Sequence, residues 1–214
     1  MQINILKKPN QKIEKMKVDE IIDEKLKLYP MVEDTLSKTN FTAIIGGMGS
    51  GKTTLITNFL KGFYKQVFNH IFIIIPEMSR RSLSNDIYDK NLPDDQLFDS
   101  LTVDNLKIIY SRLEEATLNN EYSILIIDDF QVELKDKEIS KILQRIITKM
   151  RHLRCSVFLL CQNFIKMDKS IRNLATNIIL FNINKSQQED IFSQVLQLEK
   201  YKYEMLNKLY IEKG

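Results

Sequence analysis

The sequence predicts an α/β fold, a three-layer sandwich around a mostly parallel sheet of about five strands. Short apolar runs are typical of strands buried on both faces, and they occupy residues 41–45, 71–75, 124–127, 157–161 and 178–181. Amphipathic segments separate these runs, as expected for helices that connect parallel strands and cover the sheet. At 214 residues, the chain is long enough for one such domain and has little left for a second.

The spacing of apolar residues between the strands predicts the helices. Residues 52–64 and 104–118 have helical patterns, residues 138–151 form a basic amphipathic helix, and residues from about 187 to 210 are helical again. The stretch between the second strand run and residue 104 is polar and acidic. Helices therefore alternate with strands along most of the chain.

These patterns divide the chain into three parts. Residues 1–35 are polar with scattered apolar positions, and we expect an N-terminal helical arm there. Residues 36–185 hold all the strand runs and form the main domain. Residues 186–214 are expected to form a C-terminal helix packed on that domain. With 6 Gly and 4 Pro, the chain has no linker long and flexible enough to separate further domains.

The formal charge of +3 is too small to imply nucleic-acid binding by itself, but its distribution is uneven. Residues 141–172 carry eight basic side chains against one acid, whereas residues 77–104 carry seven acids against three bases. A basic block of this kind is most often a solvated surface. It also suits a surface that neutralises DNA phosphates without reading sequence.

Composition also indicates the compartment. The N-terminus lacks the apolar core of a signal peptide, and no apolar run approaches the 18 residues of a membrane span. Cys155 and Cys161 would stand at opposite ends of one strand, about 20 Å apart, which is too far for a disulfide. His70 and His152 are isolated, so no zinc site is expected. The sequence predicts a soluble protein from a reducing compartment, with no membrane contact.

The loop after the first strand run matches the phosphate-binding pattern G-x-x-x-x-G-K-[ST] at every fixed position. Its glycines let backbone N–H groups turn toward phosphate oxygens, and the following helix adds its positive end. Lys52 would reach the β- and γ-phosphates, and Thr53 would place its hydroxyl on Mg²⁺. The candidate nucleotide-binding residues are Gly46, Gly47, Met48, Gly49, Ser50, Gly51, Lys52, Thr53 and Thr54.

Polar residues follow two other predicted strands at the edge where parallel sheets bind ligands. Asp128 comes directly after buried aliphatics and is positioned to hold Mg²⁺. Asp129, next in the chain, is a candidate to orient or deprotonate the attacking water. Gln162 is a candidate sensor of the γ-phosphate, with Asn163 as a weaker one. Without the phosphate loop, an acidic turn and a loop cap would be the simpler interpretations.

An arginine that stabilises the transition state, an arginine finger, can come from the same subunit or from a neighbour. Arg151, Arg154 and Arg172 are the candidates here, and each is singly more typical of a solvated helix end. GTPases recognise guanine through an Asn-Lys-x-Asp motif. Residues 184–187 begin with Asn-Lys but lack the aspartate, so this motif is absent. The signature of ABC transporters is absent too, whereas a small-molecule kinase stays open.

With these motifs in order, the chain resembles the FtsK/HerA group of P-loop ATPases of the RecA-like, ASCE type. Within that group it most resembles the genome-packaging ATPases of large DNA viruses, virophages and Polinton-like elements. The resemblance covers about residues 36–185, and the segments that carry it are residues 44–55, 124–129, 151–152, 156–162 and 170–173 before the last strand.

The resemblance implies a multimeric ring that hydrolyses ATP with Mg²⁺ and drives double-stranded DNA into a preformed capsid. It implies that Lys52 and Thr53 bind phosphate and Mg²⁺ and that Asp128 holds Mg²⁺. It further implies that Asp129 serves the water, Gln162 senses the γ-phosphate and Arg151 is the finger. The implied partners are duplex DNA, other copies of the chain and capsid portal or vertex proteins. The implied location is the virion or a viral factory in the host cytoplasm.

Two other functions stay open. A nucleotide or small-molecule kinase would use the same loop to transfer phosphate to an acceptor and would not respond to DNA. A nucleotide-dependent interaction subunit would bind at the loop without turnover.

Overall fold

The computed structural model of the protein describes residues 36–62, 64, 67–81, 92–130, 132–197, 199 and 202. The predicted N-terminal arm lies outside the described residues, as does most of the chain after residue 197. The predicted boundaries of the three parts therefore stay predictions.

One open sheet of six parallel strands organises the fold, in the order β3-β2-β4-β5-β1-β6. The strands are β1 (Phe41–Ile45), β2 (His70–Ile74), β3 (Leu97–Phe98), β4 (Ser123–Asp128), β5 (Cys155–Cys161) and β6 (Asn177–Leu180). β1, β4 and β5 are buried along their whole length, because helices cover both faces of the sheet.

The predicted α/β class is confirmed, and all five predicted strand runs are strands, with ends that differ by at most two residues. The sheet is larger than predicted, because the sequence does not reveal β3. This strand has two residues in an acidic stretch, too few for any pattern to emerge. Leu97 and Phe98 pair with Ile73 and Ile74 and thereby extend the sheet beyond β2.

Six helices occupy the described residues: α1 (Lys52–Lys61), α2 (Glu77–Arg81), α3 (Val103–Leu118), α4 (Lys137–Thr148), α5 (Lys169–Arg172) and α6 (Lys185–Gln194). The short helices α2 and α5 were not predicted. Side-chain caps start two of the longer ones: Thr102 accepts from the Asn105 N–H before α3, and Asp136 accepts from two N–H groups at the start of α4.

The two faces of the sheet carry different helices. Leu106 of α3, Leu143 of α4, Ile171 of α5 and Ile191 of α6 belong to one apolar core. Ile56 of α1 belongs to the core on the other face. Burial of apolar side chains on both faces stabilises the three layers. No helix among the described residues is long and apolar enough to cross a membrane.

Strand order decides where the site forms. β5 lies between β4 and β1, with Asp128 beside Leu160 and Ile45 beside Cys161. The loops that follow these three strands therefore emerge together at one edge of the sheet.

Candidate nucleotide-binding site

The glycine-rich loop turns tightly between β1 and α1. Gly49 and Gly51 have φ angles of 70° and 95°, a left-handed backbone that favours glycine. Gly51 is the N-cap of α1, and no side chain caps this helix. The N–H groups of the first turn and the positive end of the helix dipole therefore face the loop, as an anion-binding site requires.

Gly46 is required for a different reason, because its α-carbon lies against neighbouring side chains. A Cβ at this position would stand 2.5 Å from Ser50 Oγ and 2.7 Å from Phe181 Cβ. Only glycine allows this close approach between the start of the loop, its later residues and the segment after β6.

Lys52 folds back over the loop. Its Nζ donates hydrogen bonds to the carbonyl oxygens of Gly46 at 2.8 Å and Gly47 at 2.9 Å. The side chain is buried, so its positive charge lies within the loop and away from solvent. An ammonium group has three donors, and the two carbonyls hold it where phosphate oxygens would meet it.

Thr53 and Asp128 lie in direct contact across the site. Thr53 Oγ1 donates to Asp128 Oδ2 at 2.9 Å, which joins the start of α1 to the end of β4. Burial raises the pKa of the Asp128 carboxyl, and the negative charge of Asp129 adds to this shift. The Thr53 hydrogen bond and the positive charge of Lys52 act in the opposite direction. A nearby cation stabilises the charged form of a buried carboxylate of this kind.

Asp129 and Gln162 form a second contact, where the loops after β4 and β5 meet. Gln162 Nε2 donates to Asp129 Oδ1 at 3.1 Å. Asp129 is exposed and has a φ angle of 64°, a left-handed conformation that few residues other than glycine adopt. Phe130, the next residue, is buried, so this turn sends the carboxylate outward while the chain continues into the core.

A cavity of about 280 Å³ joins these residues. It is lined by Met48, Gly49, Ser50, Gly51, Lys52, Thr53, Thr54, Ile75, Ser79, Asp128, Asp129 and Gln162. Ile75 and Ser79, which follow β2, were not predicted as site residues. They reach the cavity because β2 pairs with β4, and no local sequence signal marks that pairing.

The donor set fits Mg²⁺. A hydroxyl and a carboxylate oxygen stand together at the loop, and Mg²⁺ takes one or two such ligands and completes its shell with phosphate oxygens and water. Among the described residues, no group of three or more His, Cys, Asp or Glu side chains forms a metal site of another kind.

None of the three candidate finger arginines lines this cavity. Arg151 is exposed in the turn before β5, at the amino edge of the sheet, and β5 spans about 20 Å to the opposite edge. Arg154 donates to the Asn120 carbonyl at that same edge. Arg172 is buried, and its Nη1 donates to Gln194 of α6. The chain therefore does not bring Arg151 to its own Lys52.

The chain matches one known protein family, and several solved structures have a similar fold. Residues 30–213 match the family described as Poxvirus A32 protein. Genome-packaging NTPase B204 of Sulfolobus turreted icosahedral virus 2, solved with ATP-gammaS, is 16% identical with a TM-score of 0.54, over 75% of this chain and 83% of that one. The DNA-packaging ATPase B204 of Sulfolobus turreted icosahedral virus is 17% identical with a TM-score of 0.54, over 73% and 82%.

A bacterial ATPase has a similar fold. EssC (ATPases 2 and 3) from Geobacillus thermodenitrificans is 15% identical with a TM-score of 0.52, over 74% of this chain and 34% of that one. No curated protein sequence matches the chain. The predicted resemblance to packaging ATPases of the FtsK/HerA type is confirmed, and since the family match spans most of its length, the chain belongs to the Poxvirus A32 protein family.

Proposed function

We propose that this chain is an ATP-hydrolysing motor that moves double-stranded DNA and packages a viral genome into a capsid. The observation that carries the proposal is the convergence of Lys52, the Thr53–Asp128 contact and Asp129 on one cavity. Family membership and the fold shared with the B204 packaging enzymes support it.

In this proposal the loop binds the triphosphate of ATP. Backbone N–H groups at the start of α1 and the Lys52 ammonium surround the β- and γ-phosphates. Lys52 exchanges its bonds with the Gly46 and Gly47 carbonyls for bonds with phosphate oxygens. The cation is already in position, so little reorganisation is needed on binding.

Thr53 and Asp128 are the residues that would hold Mg²⁺, which neutralises phosphate charge when it is bound. The Thr53 hydroxyl and the Asp128 carboxylate, which contact each other in this structure, would be its protein ligands. Burial raises the pKa of the Asp128 carboxyl, and a bound cation would favour its charged form.

Asp129 then acts on the attacking water. Its carboxylate orients the water and accepts a proton from it as the water oxygen attacks the γ-phosphorus. From the loop after β5, Gln162 donates a hydrogen bond to Asp129 Oδ1 and senses the γ-phosphate. The bond between the γ-phosphorus and the bridging oxygen breaks, and ADP and inorganic phosphate are the products.

Arg151 contributes only from a neighbouring copy in this proposal, because it lies at the other edge of its own sheet. A homo-oligomeric ring would supply that neighbour, and hydrolysis would then depend on assembly. Duplex DNA and a capsid portal or vertex protein are the proposed partners, at the site of virion assembly.

The test measures ATP hydrolysis with and without duplex DNA, over a range of protein concentrations, for the wild type, Lys52→Ala and Asp129→Asn. We expect DNA-stimulated turnover that both variants lose and that rises more than linearly with protein concentration. Binding without turnover at any concentration would instead indicate an interaction subunit. Phosphate transfer to an acceptor without DNA stimulation would indicate a kinase. DNA-stimulated turnover that persists in Lys52→Ala would come from a contaminant.

A further inference from the structure

One face of α4 carries a row of unburied cations. Lys141, Arg145 and Lys149 recur every four residues, all three are exposed, and the opposite side of the helix packs into the core. We call these three residues the basic stripe. At 1.5 Å per residue, it extends about 12 Å along the helix and the turn that follows.

The charges of the basic stripe are not balanced by acids. Among the described residues, Arg112 of α3 and Lys185 of α6 each pair with a carboxylate, whereas no member of the stripe has one within ion-pair distance. Glu138 precedes Lys141 by one helical turn, yet the two form no ion pair. An ordinary solvated helix surface intersperses charges of both signs, whereas residues 139–149 contain no acid.

Two members of the stripe are held in position by one aromatic ring. The Arg145 guanidinium stands over the ring of Tyr110 at 4.6 Å from its centre, and Lys149 Nζ donates to the Tyr110 hydroxyl at 3.4 Å. The cation–π contact and the hydrogen bond together restrict the positions of the two cations. These cations are therefore partly ordered before any partner binds.

Neighbouring segments extend the positive charge. Arg151 is exposed in the turn after α4. Lys166 and Lys169 are exposed at the start of α5, which packs beside α4 on the same face of the sheet. These exposed cations belong to the basic block that the sequence shows at residues 141–172, whereas Arg172 of that block is buried against α6.

We propose that the basic stripe binds the phosphate backbone of double-stranded DNA without reading its sequence. This inference rests on the proposed function as a DNA motor and assigns that motor a DNA-contacting surface. Three unpaired cations in a row suit a polyanion, and the absence of exposed aromatic side chains from the stripe disfavours a single strand. α4 begins eight residues after Asp129, so the stripe lies on the helix that connects β4 to β5.

The experiment measures binding of the full chain to a short fluorescent duplex of arbitrary sequence at several salt concentrations. The test variant combines Lys141→Gln, Arg145→Gln and Lys149→Gln. The control variant combines Lys61→Gln, Arg112→Gln and Lys185→Gln, which removes the same charge from α1, α3 and α6. We expect the test variant to raise Kd at least about tenfold and to lower the slope of log K against log salt by about 3. Basal hydrolysis without DNA should not change.

The single variant Lys141→Gln guards against misfolding, because this side chain is exposed and makes no hydrogen bond or ion pair among the described residues. It should lower the same slope by about 1. Equal DNA binding by the test and control variants would overturn the proposal and leave the motor function standing. Loss of self-association with unchanged DNA binding would overturn it in favour of a contact between subunits. No duplex binding by the wild type at any salt concentration would overturn both proposals.

Discussion

The side-chain amide of Gln162 donates to the carboxylate of Asp129, with 3.1 Å between Nε2 and Oδ1. The two residues follow the neighbouring strands β5 and β4 and line the same cavity as Lys52. A left-handed backbone at Asp129 and this hydrogen bond together hold the carboxylate at the mouth of the phosphate loop. Positioning of this kind is effective because a group already aligned needs no reorganisation during the reaction.

We therefore expect Gln162→Ala to lower the kcat of ATP hydrolysis on the order of tenfold to a hundredfold, with little change in KM. The hydrogen bond aligns Asp129 and contributes less to ATP binding than the loop does. Steady-state kinetics would measure both constants. Asn163→Ala is the matched control, because the Asn163 side chain caps the Lys166 N–H. An equal loss in the two variants would contradict the role given to Gln162.

The left-handed backbone of Asp129 predicts that one substitution there can raise stability and abolish activity. Asp129→Gly removes the side chain from a residue with a φ of 64°, and we expect it to raise the free energy of unfolding by on the order of 1 kcal/mol. Hydrolysis should be lost in the same variant. Chemical denaturation and an ATPase assay would test this pair of outcomes. Asp129→Asn keeps the conformation accessible, so it should lose activity without gaining as much stability.

Asp128 predicts a pH-dependent change in stability. Burial raises the pKa of its carboxyl, so the loss of stability on ionisation begins as the pH rises above the ordinary pKa of aspartate and is complete above the raised pKa. Asp128→Asn keeps an acceptor for Thr53 and removes the charge. We expect it to raise the Tm of the nucleotide-free protein at neutral pH, and the gain should shrink as the pH falls toward about 4.

Asp168 is the control of opposite sign for that measurement. Hydrogen bonds from the Ser170 hydroxyl and N–H lower the pKa of the Asp168 carboxyl. Its charge therefore stabilises the fold above its ordinary pKa, and this contribution is lost as the pH falls through the lowered value. Asp168→Ala should lower Tm at neutral pH by an amount that also shrinks in acid. Pairs of thermal unfolding curves across pH would show whether the signs differ.

Two adjacent glycines provide a steric test of the loop. Gly46→Ala places a Cβ within 3 Å of Ser50 and Phe181, and we expect it to destabilise the protein by about 1–3 kcal/mol and weaken ATP binding. Gly47→Ala meets nothing within 4 Å and should leave stability nearly unchanged. Denaturation curves and nucleotide titrations would compare the variants. Equal stability of the two would show that the loop relaxes around the added methyl group.

Much of the site was predictable because its residues are marked by local sequence. Residues 46–53 carry a complete phosphate-binding pattern, and Asp128 follows an apolar run that could only be a buried strand. The physical reason is that a loop binding phosphate through its backbone needs glycines and a helix start at fixed spacing. Family resemblance then predicted the roles of Asp129 and Gln162.

Other features have no local mark. β3 is two residues long, so its pairing with β2 gives no pattern in the sequence. Ile75 and Ser79 enter the cavity only because β2 lies beside β4. Gln162 and Asp129 are 33 residues apart in the chain, and their hydrogen bond likewise forms only because β5 lies beside β4.

The sequence by itself determined the parallel α/β sheet and predicted a phosphate-binding loop at residues 46–53, because backbone geometry and strand burial leave local patterns. Tertiary structure alone decided where the basic side chains lie and which of them are ion-paired. It separated Arg151 from Lys52 by the width of the sheet and buried Arg172 against α6. It also left the cations of α4 unpaired on the surface, because ion pairing depends on which helices pack side by side.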